Sequence, residues 1–242
     1  MSVPPVAFFV PYLRGERLSL GLVLGGALSL LACTGQGTPP PRTPGESATA
    51  QAPPDGPPPG KGTPRPEPPP RHWQPVQGPP AHADPAVGIV FPRTLGGLAF
   101  RGVQRFGRAE LGYGLRYQNN ADLWLDVYVY TLGHLRIPDG ADASELQRHF
   151  TQVEGDIQAA ARAGHYTQLV VGPRARVVPS GRIFQRGSYT YRNRGLSVAS
   201  RLYLSGHKGH YVKIRATWWA AMGAAGEAAV ERAVRELAAL MR

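Results

Sequence analysis

Residues 123–131 read LWLDVYVYT, and this stretch decides the fold class. Apolar side chains recur at every second position, which is the spacing of a β-strand with two different faces. One face is aliphatic and is predicted to meet a core: Leu123, Leu125, Val127 and Val129. The other face is aromatic with one acid and is predicted to be partly wet: Trp124, Asp126, Tyr128 and Tyr130. The chain is therefore expected to build a sheet around this strand.

Further short apolar segments flank this strand on both sides. Strands are predicted at 98–106, 111–117, 166–171, 174–178, 183–192, 196–204 and 210–218. Helices are predicted at 144–163 and 225–241, where apolar residues recur at helical spacing. Turn-forming residues separate the later strands, and short hairpins join only antiparallel strands. The order predicts an α+β fold, with an antiparallel sheet of about six to eight strands and two main helices packed on it.

The ends of the first helix have their own signals. Asp142 followed by Glu145 predicts a capping box at the amino end. Gly164 predicts the carboxyl end, because a helix commonly stops where a glycine adopts a left-handed conformation.

Proline divides the chain into three parts. Of its 25 prolines, 18 fall between Thr34 and Ala86. Such a segment is too poor in large apolar side chains to offset the entropy of ordering it. We therefore expect a signal peptide at 1–32, a lipidated amino terminus and Pro-rich disordered linker at 33–86, and a single α+β globular domain at 87–242.

The charge is concentrated in the predicted domain. The whole chain has a formal net charge of +11, and residues 87–242 hold 19 Arg and 2 Lys against 11 acidic residues. A field of this sign favours anionic partners such as nucleic acid, lipid head groups or acidic polymers. An alternative is a GC-rich genome, which the 24 Arg against 3 Lys of the whole chain also indicate.

Residues 18–37, LSLGLVLGGALSLLACTGQG, hold the lone cysteine of the chain, Cys33. The apolar part covers about 15 residues, short of the roughly 20 that cross a bilayer. It follows Arg14 and Arg17 and ends in small residues, which is the order of a secretory signal. This stretch is apolar all round, so we expect it to be removed and not to join the fold.

The end of the leader, Leu30-Leu31-Ala32-Cys33, resembles the lipobox of bacterial lipoproteins. The resemblance implies cleavage before Cys33 and diacylation of its thiol with fatty acids such as palmitate. Two or more acyl chains hold a protein stably at a membrane. Thr34, where an Asp would retain such a protein at the inner membrane, implies sorting to the outer membrane, with the domain in the periplasm.

The order of elements resembles the PsbP/Mog1-like class of small α/β/α domains. The segments FPRTLGGL, YVY with IPDG, and YVKIRAT are also similar to uncharacterised bacterial envelope proteins. Neither resemblance transfers a functional residue to this chain.

The last strands hold the best candidate for a binding surface. In 210–218, Val212, Ile214, Ala216 and Trp218 form an inward row and leave Lys213 and Arg215 pointing outward. If the preceding strand pairs with it, a basic and aromatic face results that could hold phosphate or carboxylate groups: Arg201, Tyr203, Lys213 and Arg215. An ordinary solvated sheet face is the alternative interpretation.

Signals for catalysis, cofactors and metals are weak in the sequence. It contains no GxSxG, no phosphate-binding GxxxxGK[ST] and no HExxH. His207 and His210 are two of the three or four ligands that a metal needs, and Gly112-Tyr113-Gly114 is an isolated GxG. Glu145 and His149 share a helix face, but the predicted cap already explains Glu145. We therefore expect no cofactor, no metal and no catalysis.

Three hypotheses follow. The first is a lipid-anchored cell-envelope protein whose basic domain binds a partner or supports an assembly. The second is a module that binds an anionic envelope polymer, either peptidoglycan or lipopolysaccharide. The third is a hydrolase with a site not visible in sequence. Export to the envelope disfavours nucleic acid as the partner.

Overall fold

A computed structural model of the protein describes residues 80–119 and 122–242. The predicted signal peptide, the lipobox with Cys33 and most of the predicted linker lie outside these residues. The described elements, in chain order, are β1 (His82–Asp84), β2 (Ile89–Phe91), β3 (Thr94–Leu95), β4 (Leu98–Arg105), β5 (Tyr113–Asn119), β6 (Leu123–Tyr130), α1 (Ser144–Arg162), β7 (Thr167–Val171), β8 (Ala175–Val177), β9 (Phe184–Asn193), β10 (Leu196–His207), β11 (His210–Trp219) and α2 (Gly223–Leu240).

The α+β class is confirmed. In the described ranges, nine strands form one antiparallel sheet in the order β3-β4-β5-β6-β11-β10-β9-β7, and β8 also pairs with β9. A separate hairpin joins β1 to β2. The β1 strand lies in the segment that the sequence analysis assigned to the linker. The last strand of the chain, β11, sits beside β6 in the middle of the sheet.

The aliphatic face of β6 meets a core, as predicted. Its four aliphatic side chains are buried together with the inward row of β11 and the apolar side of α2. The hairpin of β1 and β2 adds Ile89 and Phe91 to the same cluster. Helix α2 therefore covers this face of the sheet, here called the α2 face.

The opposite face of β6 is drier than predicted, since of its four residues only Trp124 is partly exposed. Asp126, Tyr128 and Tyr130 are all buried. Helix α1 packs on this side, where Phe150 and Ile157 join a second core cluster. This surface, here called the α1 face, contains aromatic and charged side chains that contact one another. The described part thus has a helix on each side of the sheet.

Helix α1 begins differently from the prediction. Its N-cap is Ala143, and no side chain caps the helix. Asp142 forms a two-pronged hydrogen bond with Arg176, and Glu145 accepts a hydrogen bond from Tyr211, so neither acid is available for a capping box. The predicted end is correct, since Gly164 follows the C-cap residue with a φ of 77°.

The turn between β3 and β4 fastens α2 to the sheet. The Gly96 N–H donates to Glu236 over 2.6 Å, and Arg232 donates to the Gly96 carbonyl over 3.2 Å. A Cβ at Gly96 would lie 2.5 Å from backbone atoms of Ala233, so only glycine allows the helix to approach this closely. Gly96 has a φ of 60°, and the neighbouring Gly97 has a φ of 85° with open space around it.

We expect Gly96→Ala to lower the free energy of unfolding by about 2–4 kcal/mol, through backbone strain and overpacking. Gly97→Ala is the control, because it adds the strain without the clash and should cost about 1 kcal/mol. Urea denaturation of both variants measures the difference. Equal losses would show that the approach of α2 to Gly96 does not matter.

Candidate functional site

The four residues predicted to form one basic face do not share a face. In the observed register Arg201 lies opposite Ala216 and Tyr203 opposite Ile214, which places both on the α2 face. Lys213 lies opposite Leu204 and Arg215 opposite Leu202, on the α1 face. Directly opposite residues of antiparallel strands point to the same side of a sheet. The prediction of a single face is therefore wrong, because the observed pairing of β10 with β11 differs by one residue from the pairing that such a face requires.

Lys213 is enclosed by aromatic rings on the α1 face. Its Nζ atom lies 4.5 Å from the ring centre of Tyr128 and 5.6 Å from that of Tyr130. Burial and the neighbouring charge of Arg215 lower the pKa of Lys213 to about 8. The Arg215 guanidinium lies 5.0 Å from the ring centre of Tyr189. Both cations lie against tyrosine rings, and these contacts stabilise the packing of the α1 face.

A buried ion pair lies in the same part of the sheet. Arg116 donates two hydrogen bonds of 2.7 Å to the two carboxylate oxygens of Asp126, and both side chains are almost fully buried. The paired charges satisfy each other, as a buried guanidinium and carboxylate must. Asp126 also favours the charged form of Lys213.

Histidine 149 belongs to a hydrogen-bonded network under α1. Its Nε2 atom lies 2.7 Å from the hydroxyl of Tyr130, and its ring centre lies 4.3 Å from that of Tyr211. Tyr211 donates to Glu145 over 2.7 Å. Burial, with a contribution from Lys213, lowers the pKa of His149 to about 4, so the ring is neutral at pH 7 and shares a hydrogen bond with the Tyr130 hydroxyl. Glu145 and His149 therefore hold the helix on the sheet.

The low pKa of His149 makes stability depend on pH. The unfolded chain takes up a proton near the ordinary pKa of 6.5, whereas the folded protein resists until about pH 4. Stability is therefore full above pH 6.5 and falls between pH 6.5 and 4, by about 3 kcal/mol from this group.

His149→Gln should remove that part of the pH dependence. We expect the free energy of unfolding at pH 7.5 and pH 4.5 to differ less in the variant than in the unaltered protein. Acids such as Asp156 titrate in both proteins, so the difference between the two isolates His149. Identical pH profiles would contradict this assignment.

On the α2 face, Arg201 is paired with an acid, although its buried Nε atom has no hydrogen-bond partner in the described part of the chain. It donates to Glu227 over 2.7 Å, and its guanidinium lies 5.2 Å from the ring centre of Trp218. Trp218 is buried in the core, while Trp219 is half-buried beside Trp124 at 6.0 Å between ring centres. Arg201 therefore neutralises Glu227 of α2, and these internal contacts make it a poor candidate for binding a ligand.

Next to Arg201 lies a groove that the sequence did not reveal. Tyr203 sits directly across from Arg186 on β9, on the same face. Together with α2 and the turn that follows β8 they enclose about 260 Å³. The polar wall consists of Arg186, Tyr203, Glu231 and Arg235. The apolar wall consists of Val177, Val178, Pro179 and Val234. Basic, aromatic and aliphatic groups thus converge on one small concavity.

Arg186 is the distinctive residue of this groove. It is half-buried, and its buried Nε atom has no hydrogen-bond partner in the described part of the chain. No ion pair within residues 80–119 and 122–242 includes it. Three other arginines each pair with a carboxylate: Arg116 with Asp126, Arg174 with Glu154, and Arg201 with Glu227. A buried donor without a partner is costly, and the Nε atom of Arg201 is in the same state. What distinguishes Arg186 is that no carboxylate of the described residues pairs with its guanidinium, whereas Glu227 pairs with Arg201.

Tyr203 is a hydrogen-bond donor at neutral pH. Burial raises the pKa of its hydroxyl to about 12, although the positive charges of Arg186 and Arg201 oppose the rise. Tyr203 is among the binding residues that the sequence predicts, whereas Arg186 is not. The prediction placed Arg186 on a strand, but only the observed pairing of β9 with β10 brings the two residues together.

A larger pocket, of about 320 Å³, lies at the ends of β5 and β6. Two of its polar groups already have internal partners. The Tyr113 hydroxyl donates to Asp84 over 2.7 Å, and the Tyr130 hydroxyl meets His149. The groove beside Arg186 is therefore the better candidate for binding a ligand.

The remaining sequence candidates have structural contacts. His207 is buried with its Nε2 atom 3.0 Å from the Val87 carbonyl, and the Nδ1 atom of His210 lies 2.9 Å from the Lys208 carbonyl. Within the described residues, no three histidine, cysteine, aspartate or glutamate side chains are grouped so that they could hold a metal ion. Gly112 lies where β6 approaches, since a Cβ there would be 1.8 Å from the Val129 oxygen.

No protein-family profile matches the chain, and no curated protein matches it significantly. Neither α1 nor α2, the two α-helices of the described ranges, combines the length and apolar character that crossing a membrane requires. The groove, where no carboxylate of the described residues pairs with Arg186, is therefore the best candidate for a functional site.

Proposed function

We propose that the protein is a lipid-anchored cell-envelope protein whose basic domain binds an anionic envelope polymer in the groove beside Arg186. The single observation that supports this proposal is the half-buried Arg186 guanidinium, which lines the groove without a paired carboxylate among the described residues. A guanidinium presents parallel N–H donors that match a carboxylate or a phosphate. The Tyr203 hydroxyl beside it supplies a further donor.

The surroundings of Arg186 strengthen its attraction for an anion. Arg235 lines the same groove, and the apolar side chains of Val177 and Val234 reduce the access of water. Charge-assisted hydrogen bonds are stronger where water is displaced. The excess of basic residues in 87–242 adds a long-range field that draws an anionic polymer toward the surface.

The proposed role is recognition without catalysis. The groove combines arginines, one glutamate and a tyrosine that keeps its proton, which suits the binding of charged groups. The most strongly shifted histidine, His149, lines neither of the two pockets described above. The shift of its pKa has a structural cause, the burial under α1.

The site of action follows from the amino terminus and is part of the same proposal. Lipidation of Cys33 would place the domain at the outer membrane, on the periplasmic side. The Pro-rich segment after it would act as a tether, with about 3.1 Å per residue wherever polyproline II forms. A tethered domain can search for a polymer near its own membrane at a high effective concentration.

Arg186→Gln should weaken binding to the polymer. Loss of a charge-assisted hydrogen bond costs about 1.5–3 kcal/mol, which corresponds to roughly a 10- to 100-fold loss of affinity. Co-sedimentation of the protein with intact peptidoglycan sacculi measures the effect, and lipopolysaccharide aggregates form a parallel arm.

Arg192→Gln is the matched control. Arg192 lies on the same strand, is exposed, and gives the same change of net charge. We expect it to alter retention slightly, through the general field alone. Equal retention of the Arg186 and Arg192 variants on both polymers would contradict the proposed site.

Cys33→Ala tests the anchor separately. Cells that express the unaltered chain or the variant are grown with a labelled fatty acid, and we expect the label only in the chain with Cys33. The variant should also leave the membrane fraction, because the thiol that carries the acyl chains is gone. Unchanged labelling would refute the lipobox interpretation.

A further inference from the structure

We propose that the groove recognises a zwitterion, a carboxylate with an amine beside it and an apolar part attached, and not a simple polyanion. This inference rests on the proposed function and specifies its ligand. Groups of this kind occur in amino acids, at peptide ends and in the peptide parts of envelope polymers. Three residues would share the recognition: Arg186, Tyr203 and Glu231.

Glu231 gives the groove a negative charge that the binding of an anion alone does not need. It lines the same concavity as Arg186, yet the two side chains form no ion pair in the described part of the chain. Both act on the Tyr203 hydroxyl, because Glu231 raises its pKa and Arg186 lowers it. A cation and an anion therefore stand near one hydroxyl without neutralising each other.

The neighbouring turn of α2 shows the contrast. One turn earlier on the helix, Glu227 closes on Arg201 at 2.7 Å. Glu231 instead has Arg235 at 4.0 Å, and both of these side chains are about half exposed. An exposed pair at that distance is weak. Glu231 thus keeps most of its capacity to accept hydrogen bonds from a ligand amine.

The separated charges match the two ends of a zwitterion. The carboxylate of the ligand would lie against Arg186 and Tyr203, and its amine would face Glu231. The remaining wall is apolar and would contact an aliphatic side chain: Val177, Val178, Pro179 and Val234. A polyphosphate would meet repulsion from Glu231, so the residue that attracts an amine also weakens the binding of a ligand that is only anionic.

Two small probes separate these alternatives. Leucine carries the carboxylate, the amine and an aliphatic chain, whereas 4-methylpentanoate is the same acid without the amine. Isothermal titration of the full chain, kept in a mild detergent, measures the affinity of each. We expect leucine to bind more tightly than 4-methylpentanoate by about 2- to 5-fold, since one exposed charge contact contributes up to about 1 kcal/mol.

The Glu231→Gln variant should move the two affinities in opposite directions. Leucine should lose most of its advantage because its amine has lost a charged partner. 4-Methylpentanoate should bind as well as before or more tightly, because a like charge has been removed. Asp122→Asn is the control, since it removes an exposed acid elsewhere and should leave both affinities unchanged. Circular dichroism of the variants verifies that the fold is retained.

The possible failures are distinguishable. If Glu231→Gln weakens both probes equally, or neither, the zwitterion inference is overturned while the anion site stands. If 4-methylpentanoate binds the unaltered chain as tightly as leucine, the inference is overturned as well. If Arg186→Gln and Arg192→Gln bind both probes alike, the proposed function fails. Lack of leucine binding at about 10 mM also counts against the inference, since even a weak specific site is detectable there.

Discussion

The structure depends on the burial of β11 from both sides. This strand pairs with β6 on one side and with β10 on the other, and each of its faces is covered by a helix-bearing core cluster. On the α2 face, the apolar side chains that alternate along β11 pack into the core without polar partners. The side chains between these aliphatic residues point to the α1 face and include Lys213 and Arg215. Charged groups of this kind can be buried only beside aromatic rings and carboxylates. The many tyrosines on the α1 face are explained by that requirement.

This constraint also divides the charged residues into two groups. On the α1 face the charges close on one another, as in the pair of Arg116 with Asp126, and they hold one helix in place. On the α2 face Arg201 is closed by Glu227, but Arg186 is not closed by any described acid. Arg186 therefore differs from Arg116, Arg174 and Arg201, each of which pairs with a carboxylate inside the fold. The candidate site is identified by the ion pair that Arg186 lacks among the described residues and not by a sequence motif.

The sequence predicted the elements well because alternation and helical spacing are local properties. The segment 123–131 became β6, and the helix predicted at 144–163 is α1. The strands β1, β2 and β3 are absent from the prediction, because runs of two or three residues are too short to show alternation. The other errors concern which elements and side chains pack against each other. Asp142 and Glu145 suit a capping box, but Arg176 and Tyr211 come from distant parts of the chain and bond to them. The face of four residues failed because alternation along β10 and β11 does not fix which residues stand opposite. Arg186 could not be found, since its isolation is a property of the assembled groove.

The attachment of α2 to the first strands has a mechanical consequence. The described chain begins at residue 80, beside the hairpin of β1 and β2, and this hairpin shares a core cluster with α2. The turn at Gly96 joins the same helix to the edge of the sheet. Because the hairpin and the Gly96 turn both contact α2, a displacement of these first strands would change the position of the helix that forms one wall of the groove.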